Sequence, residues 1–115
     1  MITNSHRFHG LGSLRFAYTK GKTTRTNDIG LRYIENTRRS TWRAAVVVSK
    51  KVHKSAVKRN RVRRRVYEII RLAGIPQENT ADLIFTIYTE NVLDMSAVGL
   101  QADVSKLLRQ ANILT

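Results

Sequence analysis

The chain has 115 residues, of which 42% are hydrophobic, so it is long enough for one folded domain with its own core and too short for two. Its 21 Lys and Arg residues outweigh eight acids for a net charge of +13, which points to nucleic acid or an anionic membrane surface as partner. The absence of cysteine excludes disulfides, cysteine-ligated zinc and thiol nucleophiles, and no apolar run approaches the roughly 20 residues that span a bilayer.

Four segments are predicted in the first part of the chain. Residues 1–12 form a loose basic lead-in, and residues 14–20, bounded by a serine cap and a glycine, form a short helix. Residues 22–27 are a turn or a short edge strand. Apolar and polar side chains alternate over residues 29–34, which predicts a half-buried strand.

A buried strand and a basic helix follow. Residues 44–48 are all Ala or Val, which predicts a central strand buried on both faces. This strand leads into residues 49–71, which hold ten of the 21 cations and a single acid, Glu68. Ser55 is the predicted N-cap of a helix that ends near Gly74. Its apolar stripe is expected to consist of Val62, Val66, Ile69 and Ala73, with Ile70 at the edge.

The basic face of this helix is predicted to bind a polyanion. Cations crowd its first turns, where the helix dipole is already positive and natural helices prefer acids. Bound phosphate oxygens would restore the stability that the free protein loses in this way. The alternative is a helix whose charges are merely solvated, but such helices alternate acids with cations. The first-turn cations are Lys54, Lys58, Arg59 and Arg61, and Asn60, Arg64 and Arg71 lie opposite the apolar stripe.

The remaining chain is predicted to contain one strand and one helix. Residues 83–89 form a second buried strand, and Ser96 caps a final helix. The apolar face of this helix is Leu100, Val104, Leu107, Leu108 and Ala111. The predicted fold is a single α+β domain over residues 1–115, a two-layer sandwich in which three helices accompany a mixed sheet of about four strands in the order α-β-β-β-α-β-α.

The sequence offers little for catalysis by the protein itself. The eight acids are scattered without a local pair for acid–base chemistry, and His6 and His9 alone are a weak metal signal, so no catalytic or metal-binding residue is assigned. Aromatic residues before the basic helix could stack RNA bases. Phe8 and Trp42 are expected in the core instead. Tyr18 and Tyr33, whose rings carry a polar tip, are better candidates for exposure.

Residues 49–68, SKKVHKSAVKRNRVRRRVYE, closely resemble the signature of the bacterial ribonuclease P protein subunit. In that family a strand ends in Ser-Lys-Lys and runs through Ala-Val into a helix that bears Arg-Asn-Arg. The N-terminal half matches more loosely, and the resemblance covers most of residues 12–110. The matching positions are Ser49-Lys50-Lys51, Ala56-Val57, Arg59-Asn60-Arg61, Arg63-Arg64, Lys20-Gly21-Lys22 and Leu31-Arg32-Tyr33.

The resemblance implies a fold, a function and partners. The family has an α+β sandwich with a left-handed β-α-β crossover through the basic helix, against the usual handedness. Its members bind a large catalytic RNA, while a central cleft holds the 5′ leader of precursor tRNA. The RNA cleaves the leader with Mg²⁺, which is bound mainly by the RNA. A cytoplasmic location without a membrane or an obligate protein partner is expected.

The helix pattern and the resemblance together give two sets of binding residues. In the leader cleft, Leu14 replaces a usual aromatic residue and is expected to stack poorly. Tyr67 stands where many members carry a cation, so the basic face is expected to be shorter at its C-terminal end. The predicted RNA-binding residues are Lys50, Lys51, Lys54, Lys58, Arg59, Asn60, Arg61, Arg63, Arg64 and Arg71, and the predicted leader-binding residues are Leu14, Tyr18, Lys22 and Tyr33.

Two other functions use the same charged helix. A ribosomal or RNA-chaperone protein would bind RNA without assisting cleavage, and stimulation of precursor tRNA cleavage separates it from the first hypothesis. A basic-region DNA-binding protein is less well supported, because Pro76 follows the helix closely and no leucine heptads are present to form a dimer.

Overall fold

The computed structural model describes residues 21–35 and 40–114, which are built on a four-stranded sheet. The strands are β1 (Lys22–Arg25), β2 (Ile29–Glu35), β3 (Arg43–Val48) and β4 (Ala81–Ile87), and their spatial order is β1-β2-β4-β3. β2 pairs antiparallel with β1 and β4, whereas β3 runs parallel to β4. The predicted α+β class with a mixed sheet of four strands is confirmed.

Two helices pack on one face of this sheet. The basic helix is Ala56–Leu72, the C-terminal helix is Ala97–Gln110, and a short 3₁₀ helix, Glu90–Leu93, lies between β4 and the C-terminal helix. The predicted caps Ser55 and Ser96 are confirmed, because each hydroxyl accepts a hydrogen bond from the backbone N–H three residues later, at 3.3 and 3.0 Å. The helix predicted over residues 14–20 lies outside the described residues, as do the lead-in and Phe8.

The main core lies between the sheet and the two helices. Alternate residues of the three longer strands point into it, which follows from the two-residue period of a strand. The predicted apolar face of the C-terminal helix is entirely buried, and Trp42 is in the core as expected. The strand residues of this core include Ile29, Leu31, Ala44, Val46, Val48, Leu83, Phe85 and Ile87.

The buried stripe of the basic helix is rotated from the predicted one. Ile70 is fully buried and Tyr67 is 8% exposed, whereas Ile69 and Ala73 are only half-buried. The hydroxyl of Tyr67 accepts a hydrogen bond from the N–H of Val46 at 3.1 Å, which ties the helix to β3. Tyr67 is therefore a core residue, and the expectation that it shortens the basic face was wrong. The spacing of apolar residues in the sequence gives the width of the apolar stripe on the helix. Which residues lie at the centre of the buried stripe depends on where the sheet packs against the helix.

The strand predicted to be central, β3, lies at the edge of the described sheet. Its Ala/Val run is buried except for the half-buried Val47, because the basic helix covers one face while Ala45 packs with Ile84 on the other face. An edge strand covered on both faces has the same composition as a central strand, so the sequence could not distinguish them. β4 is the strand between β2 and β3, and it runs two residues earlier than predicted.

A buried ion pair joins β3 and β4 near their first residues. Arg43 and Asp82 are register partners on the face of the sheet opposite the main core. The Nε and Nη2 atoms of Arg43 donate hydrogen bonds of 2.8 Å to the two carboxylate oxygens of Asp82, which is 2% exposed. This two-pronged geometry is the strongest arrangement of an Arg–carboxylate pair, and it fixes the relative position of the two parallel strands.

Within the described ranges, no helix has both the length and the apolar composition that crossing a membrane requires.

Candidate nucleic-acid interface

The loop that enters the basic helix is held by its own side chains. The Nδ1 atom of His53 accepts a hydrogen bond from the N–H of Ser55 at 3.0 Å. The guanidinium of Arg59 is turned back onto the loop, where it donates to the carbonyl oxygens of His53 and Lys54, both at 2.9 Å. Arg59 therefore orders the loop, while the lysines at positions 50, 51 and 54 remain exposed on it.

The cations farther along the helix divide into two groups. Arg63 is half-buried and donates hydrogen bonds to Asn60 Oδ1 and, at 3.4 Å, to the carbonyl oxygen of Val48. The side chains of Lys58, Arg61 and Arg64 are exposed, and none of them has a hydrogen-bond or ion-pair partner within the described part of the protein. The capacity of the helix to bind phosphate is therefore concentrated on these three cations, which are three or six residues apart.

Arg71 is exposed but is partly neutralised within the protein. Its guanidinium forms an ion pair with Glu68, in which Nε donates to the two carboxylate oxygens at 3.1 and 3.2 Å. These hydrogen bonds lower the pKa of Glu68 to about 2, so the carboxylate stays charged and the pair breaks only as the pH falls through that value. Arg71 is therefore expected to attract phosphate more weakly than Arg61 or Arg64.

Arg65 has a structural role that the sequence pattern did not predict. Its Nη1 atom donates to the carbonyl oxygens of Val92 and Leu93 at 3.2 and 3.3 Å, and Nη2 donates to that of Met95 at 2.7 Å. It holds the segment after β4 against the basic helix. No local signal identifies this role, because the three acceptors lie 27–30 residues farther along the chain.

Two of the four predicted leader-binding residues line one cavity. Lys22 and Tyr33 are register partners on β1 and β2 and border a cavity of about 490 Å³ at one end of the sheet. Tyr33 is half-buried and packs against the main core, so it is less exposed than predicted. Leu14 and Tyr18 lie outside the described residues. Around the cavity, Glu35, Glu78 and Asn112 add acidic and amide groups.

In the described ranges, no three His, Cys, Asp or Glu side chains come together in an arrangement suited to a metal ion. The cations gathered on one helix face are the chemical groups that recognise phosphate. The arrangement can bind a polyanion.

Comparisons of sequence identify relatives of the chain. The family model described as Ribonuclease P matches residues 2–112. The ribonuclease P protein component of Chloroflexus aurantiacus is 47% identical over 78 residues, which are 67% of this chain and 56% of that protein. The match therefore spans about half the length of these Chloroflexus relatives. The corresponding protein of Clostridium kluyveri is 33% identical over 110 residues, which are 94% of this chain and 96% of the relative.

Solved structures share the fold. The RNase P protein of Staphylococcus aureus superimposes with a TM-score of 0.82 at 21% identity, over 96% of this chain and 98% of that one. The RNase P protein of Thermotoga maritima gives a TM-score of 0.78 at 19% identity, over 90% of this chain and 96% of that one. At such identities the structural match establishes the fold alone.

Proposed function

This chain belongs to the ribonuclease P protein family, and we propose on that basis that it is the protein subunit of a ribonuclease P that removes the 5′ leader of precursor tRNA. The observation that carries the proposal is the family match over residues 2–112, which includes the whole basic helix. The exposed Arg61 and Arg64 on this helix supply the cationic surface that a subunit bound to a large RNA requires.

The basic helix would bind the catalytic RNA. Phosphates would contact Lys58, Arg61 and Arg64, while Arg59 and Arg63 hold the preceding loop and β3 in place. The exposed lysines at positions 50, 51 and 54 would extend the same cationic surface along the loop. Because most of these contacts are to phosphate, affinity would depend steeply on salt concentration.

The cavity beside Lys22 and Tyr33 would hold part of the 5′ leader. The Tyr33 ring would stack on an unpaired base, and the Lys22 ammonium would contact a neighbouring phosphate. Leu14 and Tyr18 remain predicted members of this cleft. The left-handed sense of the β3–helix–β4 crossover also belongs to the proposal, since it follows from the family resemblance.

Catalysis would lie in the RNA partner. Mg²⁺ bound mainly by that RNA would activate the attacking water and stabilise the leaving oxygen. The net charge of +13 would reduce the repulsion between the RNA and its polyanionic substrate, so less Mg²⁺ would be needed. The reaction would take place in the cytoplasm without an obligate protein partner.

The first test is cleavage of precursor tRNA by a bacterial ribonuclease P RNA at low Mg²⁺, with and without this protein. We expect strong stimulation that is greater for a substrate with a long 5′ leader than for one with a single leader nucleotide. RNA binding without stimulation would instead favour a ribosomal or RNA-chaperone protein.

A second test addresses the leader cavity. Replacing Tyr33 with Leu keeps an apolar side chain against the core but removes the stacking ring, so leader-bearing substrate should bind about 5–100-fold more weakly. Tyr33→Phe retains the ring and serves as the matched control. Affinities are measured for precursor and leaderless tRNA with the assembled RNA–protein complex. An equal loss for both substrates would assign Tyr33 to folding rather than to leader binding.

A further inference from the structure

A second cavity lies where the basic helix and its entry loop face the segment after β4. Its volume is about 350 Å³, within the range of about 300–1,000 Å³ of small-ligand sites. One wall of this cavity carries cations and the other carries hydrogen-bond acceptors. We call the cavity the mixed-charge pocket. Its polar lining residues are His53, Lys58 and Arg61 on one wall and Glu90, Asn91 and Asp94 on the other.

The backbone of both walls is fixed by hydrogen bonds, that of the basic wall through Arg59 and His53. Arg65 holds three carbonyl oxygens of the acidic wall, as described above, and Val92 is fully buried beneath it. From the other side, Asp28 Oδ1 accepts hydrogen bonds from Thr89 Oγ1 at 2.5 Å and from Asn91 Nδ2 at 3.3 Å. The backbone of the pocket is therefore in place before any ligand binds, which lowers part of the ordering cost of binding.

The charges across the pocket do not neutralise one another directly. Glu90 and Asp94 are exposed, and within residues 21–35 and 40–114 no ion pair joins either of them to Lys58 or Arg61. Two of the chain's eight acids thus stand beside the cations that are free to bind phosphate. Such acids weaken the attraction of this surface for RNA unless their carboxylates accept hydrogen bonds from the RNA.

We propose, on the basis of the function inferred above, that the mixed-charge pocket accepts one unpaired guanosine of a bound RNA strand. Lys58 and Arg61 contact its phosphate, and the carboxylates of Glu90 and Asp94 accept hydrogen bonds from the edge of the base. The N1–H and N2–H groups of guanine are adjacent donors that match the two oxygens of a carboxylate. Adenine, cytosine and uracil offer one donor group on this edge, next to acceptors that a carboxylate repels.

The proposal is tested with four pentaribonucleotides, UUGUU, UUIUU, UUAUU and UUUUU, and with free GMP. Binding to the whole protein is followed by NMR or calorimetry. The guanosine pentamer is expected to bind about 5-fold or more tightly than the adenosine and uridine pentamers. Inosine lacks the N2 amino group and is expected to lose most of this gain. Equal affinity for all four pentamers would overturn the proposal. If free GMP bound as tightly as UUGUU, the guanosine in the pocket would not need to belong to an RNA strand, and that part of the proposal would be overturned.

The double variant Glu90→Gln/Asp94→Asn assigns the preference to the acidic wall. It is expected to abolish the preference for guanosine while raising the affinity for UUUUU, because two repelling charges are removed. Asp103→Asn is the control, since Asp103 lies on the C-terminal helix and lines neither cavity. A preference that survives in the double variant would overturn the proposal. These measurements use no cleavage reaction. A negative result for guanosine binding can therefore be distinguished from a negative result for the proposed function.

Discussion

Replacing Arg61 and Arg64 together with Ala is expected to weaken binding of a ribonuclease P RNA by about 100-fold, because each guanidinium loses charge-assisted hydrogen bonds to phosphate. Both side chains are exposed and without a partner in the described structure, so their removal leaves the packing of the helix unchanged. The slope of log affinity against log salt should fall by about one unit per arginine. Affinities are measured by filter binding over a series of salt concentrations.

Two single variants are matched controls for this experiment. Arg71→Ala removes a cation from the same helix, but one that Glu68 already pairs, and Arg109→Ala removes an exposed cation from the C-terminal helix. Both should change the salt slope less than the loss of either Arg61 or Arg64. A double variant whose slope equals that of the unaltered protein would show that Arg61 and Arg64 do not contact phosphate.

Asp82→Ala is expected to lower the free energy of unfolding by about 3–5 kcal/mol, because it leaves the guanidinium of Arg43 buried without its carboxylate. This is a large part of the roughly 5–15 kcal/mol that stabilises a small domain. Chemical denaturation followed by circular dichroism measures the change. A loss below about 1 kcal/mol would show that the pair does not hold β3 and β4 together.

Two further variants identify the cause of such a loss. Arg43→Met/Asp82→Leu replaces the pair by apolar side chains of similar size, and most of the lost stability should return because both buried charges of the pair are removed together. Glu68→Ala breaks an exposed ion pair and is expected to change stability little. If Glu68→Ala destabilised the protein as much as Asp82→Ala, burial would not explain the effect.

Local patterns predicted the elements well. Ser55 and Ser96 were recognised as caps because an N-cap needs only a side-chain oxygen near the backbone N–H groups that follow it. The apolar face of the C-terminal helix was read correctly from its helical spacing, and all of it is buried. The concentration of cations in the basic helix was visible in the sequence itself.

The sequence alone thus determined the α+β class, the two described helices and the cationic character of one of them, because these depend on residues close together in the chain. The tertiary structure decided which arginines are available to bind phosphate. Arg61 and Arg64 extend into solvent, while Arg59, Arg63 and Arg65 bind carbonyl oxygens. It also placed β3 at the edge of the described sheet and Glu90 beside Arg61. Spacing could not give these results, because the carbonyl partners of Arg63 and Arg65 lie 15 to 30 residues away and meet them only when the sheet and helices pack. The contacts of Arg59 with carbonyl oxygens five and six residues earlier depend on the folded shape of the entry loop.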